Sequence, residues 1–64
     1  MPSVLNAANE VAVAAFLAHR INLVQIPNLI QDAMVSHRTV SNPDLADILA
    51  ADAWAREYTK GKII

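Results

Sequence analysis

Glu10, His19, His37 and Asp52 are the side chains of this 64-residue sequence first considered as metal ligands. No pair of them has the spacing of H-E-x-x-H or of a helical E-x-x-H motif, in which two ligands share one helix face. The histidines therefore read as helix-end or surface residues rather than ligands. A nucleophilic serine needs a positioned base beside it. Ser3, Ser36 and Ser41 fall at helix caps or helix ends, where a hydroxyl's ordinary work is to accept a backbone N–H. The sequence holds one glycine, Gly61, so it has no glycine-rich loop to cradle a phosphate, and it has no cysteine to serve as thiolate ligand, nucleophile or disulfide. Asp52 and Arg56 form an acid-then-base pair four residues apart, read as a surface helix pair. No residue is assigned a catalytic, cofactor-binding or metal role.

These groups must sit on a very small scaffold. A chain of this length buries only about 60% of the surface its unfolded form exposes, so one domain, residues 1–64, is the limit. Five basic and six acidic residues are dispersed along the chain. That balance gives no electrostatic footprint for nucleic acid or an anionic membrane surface. Although 55% of the residues are hydrophobic, no window reaches 18 uninterrupted apolar residues, which disfavours a membrane span. The opening "MPSVLNAANE" lacks the basic region of a signal peptide, and the expected location is the cytoplasm.

The periodicity predicts three helices and no strand. Ser3 is the expected cap of the first, which runs through alanines to about His19, with His19 and Arg20 suited to a helix C-terminus. "RINLVQIP" turns the chain. Ile26, Leu29, Ile30, Ala33, Met34 and His37 then repeat at i, i+3, i+4, i+7, i+8 and i+11, one face of an amphipathic helix with Pro27 in its first turn. His37 and Arg38 close it before the linker "TVSNPD". In the third helix Asn42 or Ser41 is the expected cap, Pro43 the first helical residue, Asp44 and Asp47 favour its positive end, and Gly61 is the expected stop. The fold class is therefore all-α, a small antiparallel-type bundle of three helices.

Apolar residues exceed what three helices can cover. Leu5, Ala8, Val11, Ala12, Ala15 and Phe16 form a broad arc on the first helix, while Val13 and Leu17 lie among Asn6, Glu10 and Arg20 on its other side. The third helix carries Leu45, Ile48 and Leu49 on one stripe and Ala50, Ala51, Trp54 and Tyr58 on another. Leu29, Ile30 and Leu49 are the expected core residues. The Trp54/Tyr58 stripe is the expected surface of self-association, because large unpartnered apolar patches usually mark interfaces and tryptophan is enriched among their anchors.

"PSVLNAANEVAVAAFL" resembles the segment that leads into the C-terminal helical domain of the 1-deoxy-D-xylulose 5-phosphate reductoisomerase family. "RINLVQIPNLIQDAM" and "LADILAADAWAR" resemble the next two helices of that domain, in the same order and at similar spacing, so the resemblance covers nearly the whole chain. Val24 and Gln25 stand where relatives often have threonine and aspartate, a departure expected to weaken the second helix's cap. The resemblance implies a parent enzyme that converts 1-deoxy-D-xylulose 5-phosphate to 2-C-methyl-D-erythritol 4-phosphate in non-mevalonate isoprenoid biosynthesis, using NADPH and a divalent metal, Mg or Mn. It implies as well that the NADPH-binding and catalytic domains lie outside this chain. No family site residue carries over to a position here, and the chain alone is expected to be inactive. Its expected partner is the remainder of the parent enzyme, where Asn6, Asn9 and Glu10 either hydrogen-bond to connecting backbone near the domain boundary or simply face water on a modestly amphipathic helix. Met1 is either an initiator or an internal residue. A free-standing helical dimerisation or docking module is the alternative from another class.

Overall fold

The computed structural model describes residues 2–38 and 41–63; the readings that fall on Met1 and on the Thr39–Val40 part of the linker lie outside them. Three helices follow one another, α1 (Pro2–Leu17), α2 (Gln25–Ser36) and α3 (Leu45–Ile63), with no strand among the described residues. Val4, Ala7 and Ala8 of α1 cluster with Ala51 and Ala55 of α3, while Ala12 and Ala15 lie in the cluster that Ile63 packs against. α1 and α3 thus run in the same direction. α2 runs against both, since its late residue Ala33 joins the first cluster and its early residues Ile26 and Leu29 pack on the second.

The core is built from alanine. Ala7, Ala8, Ala12, Ala33 and Ala55 are fully buried, joined by Ala15 and Ala51, with Val4 and Ile21 as the larger buried apolar side chains. Such small side chains let neighbouring helices pack closely, and the cost is that the long apolar side chains are displaced to the flanks. Ile30, Trp54 and Tyr58 flank the first cluster, and Phe16, Ile26, Leu29 and Ile63 the second. Leu29 and Ile30 therefore support the core from its edge, half-buried. Leu49, expected inside, is 60% exposed, and Leu45 is 70% exposed. The buried face of α3 is Ala51, Ala55 and Thr59, four residues apart, and the leucine stripe points away from it.

Helix boundaries follow local chemistry that differs from the expected caps. Ser3 does not cap α1; it lies inside the helix, and its Oγ is buried with no hydrogen-bond partner. α1 ends in a Schellman motif: the Arg20 N–H donates to the Ala15 carbonyl at 2.9 Å and the His19 N–H to the Phe16 carbonyl at 3.0 Å. His19 occupies the left-handed position with φ 62°, where glycine is usual. At Val24 itself no side chain caps α2, as the departure at this position predicts, but Asn22 and Gln25 supply bonds beside it. The Asn22 N–H donates to Gln25 Oε1 at 2.8 Å and the Gln25 N–H to Asn22 Oδ1 at 3.1 Å, a reciprocal box that satisfies two donors one turn ahead of the helix.

α3 begins with the same device. The Asp47 N–H donates to Asp44 Oδ1 at 2.8 Å and the Asp44 N–H to Asp47 Oδ2 at 3.1 Å. Asp44, not Asn42 or Ser41, is the cap, and Pro43 precedes the helix instead of opening it. Asn42 has φ 51°, a left-handed turn that asparagine tolerates and that aims the chain into Asp44. Gly61 does not stop α3, which continues to Ile63, because α1 and α2 flank its last turns and hold them helical.

Candidate functional site

One charged cluster bridges two helices. Arg56 on α3 donates from Nε to Asp52 Oδ1 at 2.6 Å, one turn earlier on the same helix, and from Nη2 to Glu10 Oε2 on α1 at 2.5 Å. The planar guanidinium suits this work, since it presents separate donors in fixed directions. Hydrogen bonds to Asp52 first and to Glu10 second raise its pKa above the already high ordinary arginine value. The spacing of Asp52 and Arg56 was legible as a helix pair; Glu10 is 46 residues away in the chain, and only the side-by-side packing of α1 and α3 adds it.

Above this bridge lies an open groove of about 530 Å³ between α1 and α3. Its floor is Val11, Ala14, Ala15, Ala18 and Ile63, and Arg20, Arg56 and Lys60 stand along it with Glu10. α2 covers the opposite side of the same seam. A second cluster sits where α2 ends against α3. Trp54 and Tyr58 stack with centroids 4.8 Å apart, His37 lies 5.1 Å from Trp54, and Lys62 Nζ lies 5.3 Å from the Tyr58 ring. Ser36 Oγ and the Tyr58 hydroxyl share a hydrogen bond of 2.8 Å. Lys62 also approaches Asp32 at 3.8 Å, so the end of α3 is tied to α2 by charge as well as by rings.

The sequence-derived candidates are scattered through this structure. Glu10 and Asp52 meet on Arg56, His19 ends α1, and His37 caps α2 against Trp54, so the four imagined ligands do not converge. Among the described residues no three His, Cys, Asp or Glu side chains gather to hold a metal. Gly61, the only glycine, lies within α3. Of the serines, Ser36 is engaged by Tyr58 and the Ser3 Oγ is buried with no hydrogen-bond partner. No described helix is long and apolar enough to cross a membrane. Asn6 and Asn9 are exposed in this chain, and Glu10 pairs with Arg56. The Trp54/Tyr58 stripe, expected to be free, is half-buried against α2 within the same chain.

The described residues define a small all-α bundle of three helices with an alanine core. The chain belongs to the DXP reductoisomerase C-terminal domain family, whose family model matches residues 1–58. It is 49% identical over 63 residues, 98% of this chain, to the 1-deoxy-D-xylulose 5-phosphate reductoisomerase of Heliobacterium modesticaldum. The reductoisomerase of Geobacillus kaustophilus is 57% identical over 60 residues, 94% of this chain. The chain spans 16% of the length of either relative. No solved structure matches it.

Proposed function

We propose that this chain is the helical support domain of a cytoplasmic 1-deoxy-D-xylulose 5-phosphate reductoisomerase. The parent reaction isomerises and reduces 1-deoxy-D-xylulose 5-phosphate to 2-C-methyl-D-erythritol 4-phosphate with NADPH and Mg or Mn. The domain's own part is to pack against the remainder of that enzyme and hold its geometry, with no catalytic group supplied from these residues. The match over residues 1–58 carries this reading. It is supported by large apolar side chains left 60–77% exposed on all three helices or their connections: Leu17, Leu23, Val24, Val35, Leu45 and Leu49. Exposed apolar surface in excess of what a monomer usually carries marks a contact with another body.

The isolated chain, on this reading, neither oxidises NADPH nor binds it. Titration calorimetry of the 64-residue chain with NADPH, and separately with MgCl2, is the test; binding at micromolar affinity would overturn the assignment. A reductoisomerase shortened by this domain should lose turnover and thermal stability together, and unchanged turnover would remove the supporting role. The exposed leucines also favour a free-standing docking module. A reading frame that extends upstream into a glycine-rich strand-turn-helix and a carboxylate-bearing middle domain decides for the enzyme.

A further inference from the structure

The groove between α1 and α3 joins two kinds of surface. Its floor is apolar, formed by Val11, Ala14, Ala15 and Ala18 with Ile63, and Ala14 and Ala18 are exposed to water. Leu17, Leu23, Val24, Val35, Leu45 and Leu49 all lie outside it. Among the described residues that line the groove Glu10 is the one acid, and Arg56 neutralises it while bonding Asp52 as well. The unspent charge is therefore positive. Among the described residues the Arg20 side chain forms no ion pair. Lys60 meets Glu57 at 4.0 Å between two largely exposed side chains, a contact worth little.

We propose that this groove binds a small amphiphilic anion, a phosphate or carboxylate on an alkyl chain of about eight carbons, the length that lies along the roughly 10 Å of helix from Val11 to Ala18. The alkyl chain covers alanine and valine methyls that water otherwise wets. The headgroup meets Arg20 just past the end of α1, and Lys60 reaches it from the α3 wall on its own flexible stem. Both halves of the groove are needed to select this ligand. A neutral apolar body leaves Arg20 and Lys60 without a partner, and a bare anion leaves the floor wet. The volume of about 530 Å³ falls in the range of small-molecule sites, which pair an apolar lining with a few polar groups that fix orientation. The site is independent of the domain's supporting role, since none of the apolar side chains invoked for that role lines it.

The experiment is a titration of the 64-residue chain with octyl phosphate below its micelle concentration, followed by backbone amide NMR shifts, with circular dichroism to confirm that each variant remains helical. Saturable shifts should gather at Val11, Ala14, Ala18, Lys60 and Ile63, with a Kd of about 0.1–1 mM that rises with salt. Trp54, which lies outside the groove, should keep its fluorescence. Arg20→Ser and Lys60→Ser together should weaken binding at least about tenfold, and both side chains are exposed, so the bundle tolerates their loss. Ala14→Glu, which sets an acid on the exposed floor, should do the same with both cations in place. Arg38→Ser, past the end of α2, should leave binding unchanged. Absence of saturable shifts would overturn the proposal, and so would binding undiminished in helical variants of the groove. Equal binding of octyl glucoside would reduce the site to an apolar patch, and equal binding of inorganic phosphate would reduce it to a bare anion site; either result overturns it. Groove amides that instead shift with protein concentration alone, or on addition of the remaining reductoisomerase polypeptide, would overturn it too, giving the groove to a second copy or to that polypeptide.

Discussion

Arg56 and Glu10 lie 46 residues apart in the chain and 2.5 Å apart in space, and their contact ties α1 to α3 on the side that α2 leaves open. Lysine has one nitrogen where arginine here uses two, so Arg56→Lys can satisfy Glu10 or Asp52 but not both. The variant should melt a few degrees lower at low salt, and the difference should shrink in concentrated salt because Glu10 is exposed and Arg56 and Asp52 are only half-buried. Adding Glu10→Gln to Arg56→Lys should cost less than Glu10→Gln alone. A double-variant thermal-melt cycle showing plain additivity would deny the coupling.

His19 occupies the left-handed position that closes α1, with φ 62°. Its Cβ is strained there, though histidine tolerates this conformation better than most residues. His19→Gly should raise stability by about 0.5–1 kcal/mol, the strain relieved exceeding the added freedom of the unfolded chain. His19→Val should lower it. Urea denaturation of the three proteins orders them, and a glycine variant less stable than the histidine protein would show that the imidazole contributes something the Schellman geometry does not require.

Thr59 is 1% exposed, and its Oγ1 has no hydrogen-bond partner. A buried hydroxyl that loses its water without gaining a protein partner is costly, and replacing it by a group of the same shape removes that cost. Thr59→Val should be more stable by on the order of 1 kcal/mol. Thr59→Ala, which opens a void instead, should not gain. A valine variant that melts below the parent would mean that the hydroxyl bonds within its own helix or to a water.

Ala55 is fully buried between helices, whereas Leu49 is 60% exposed. Ala55→Leu should therefore cost about 1–3 kcal/mol or more through overpacking, enough to abolish a cooperative melt in so small a domain. Leu49→Ala should change stability by only about 0.5 kcal/mol. The opposite order would restore Leu49 to the core.

Asp44 holds the start of α3 through its reciprocal bonds with Asp47. Asp44→Ala should cost about 1 kcal/mol, and Ser41→Ala, at the cap position expected from sequence alone, close to nothing. Helix content by circular dichroism and the urea midpoint report both, and equal losses would return part of the cap to Ser41.

The amino-acid sequence by itself determined the number, type and order of the helices. The residues that decide them act locally: alanine-rich periodic runs favour α1 and α3, and apolar residues at helical spacing define α2. It likewise determined the pairing of Asp52 with Arg56, which helical spacing alone brings together, and the absence of cysteine and of a glycine-rich loop. Tertiary structure decided which face of each helix is inside. Size, rather than hydrophobicity, made that choice: helices packed closely admit Ala7, Ala8, Ala51 and Ala55 and displace Leu45 and Leu49, so the most hydrophobic stripe of α3 faces outward. Tertiary contact also brought Glu10 onto Arg56 and Ser36 onto Tyr58. It carried α3 past Gly61, because helix ends whose side chains pack on a neighbour persist through residues that would end them in isolation.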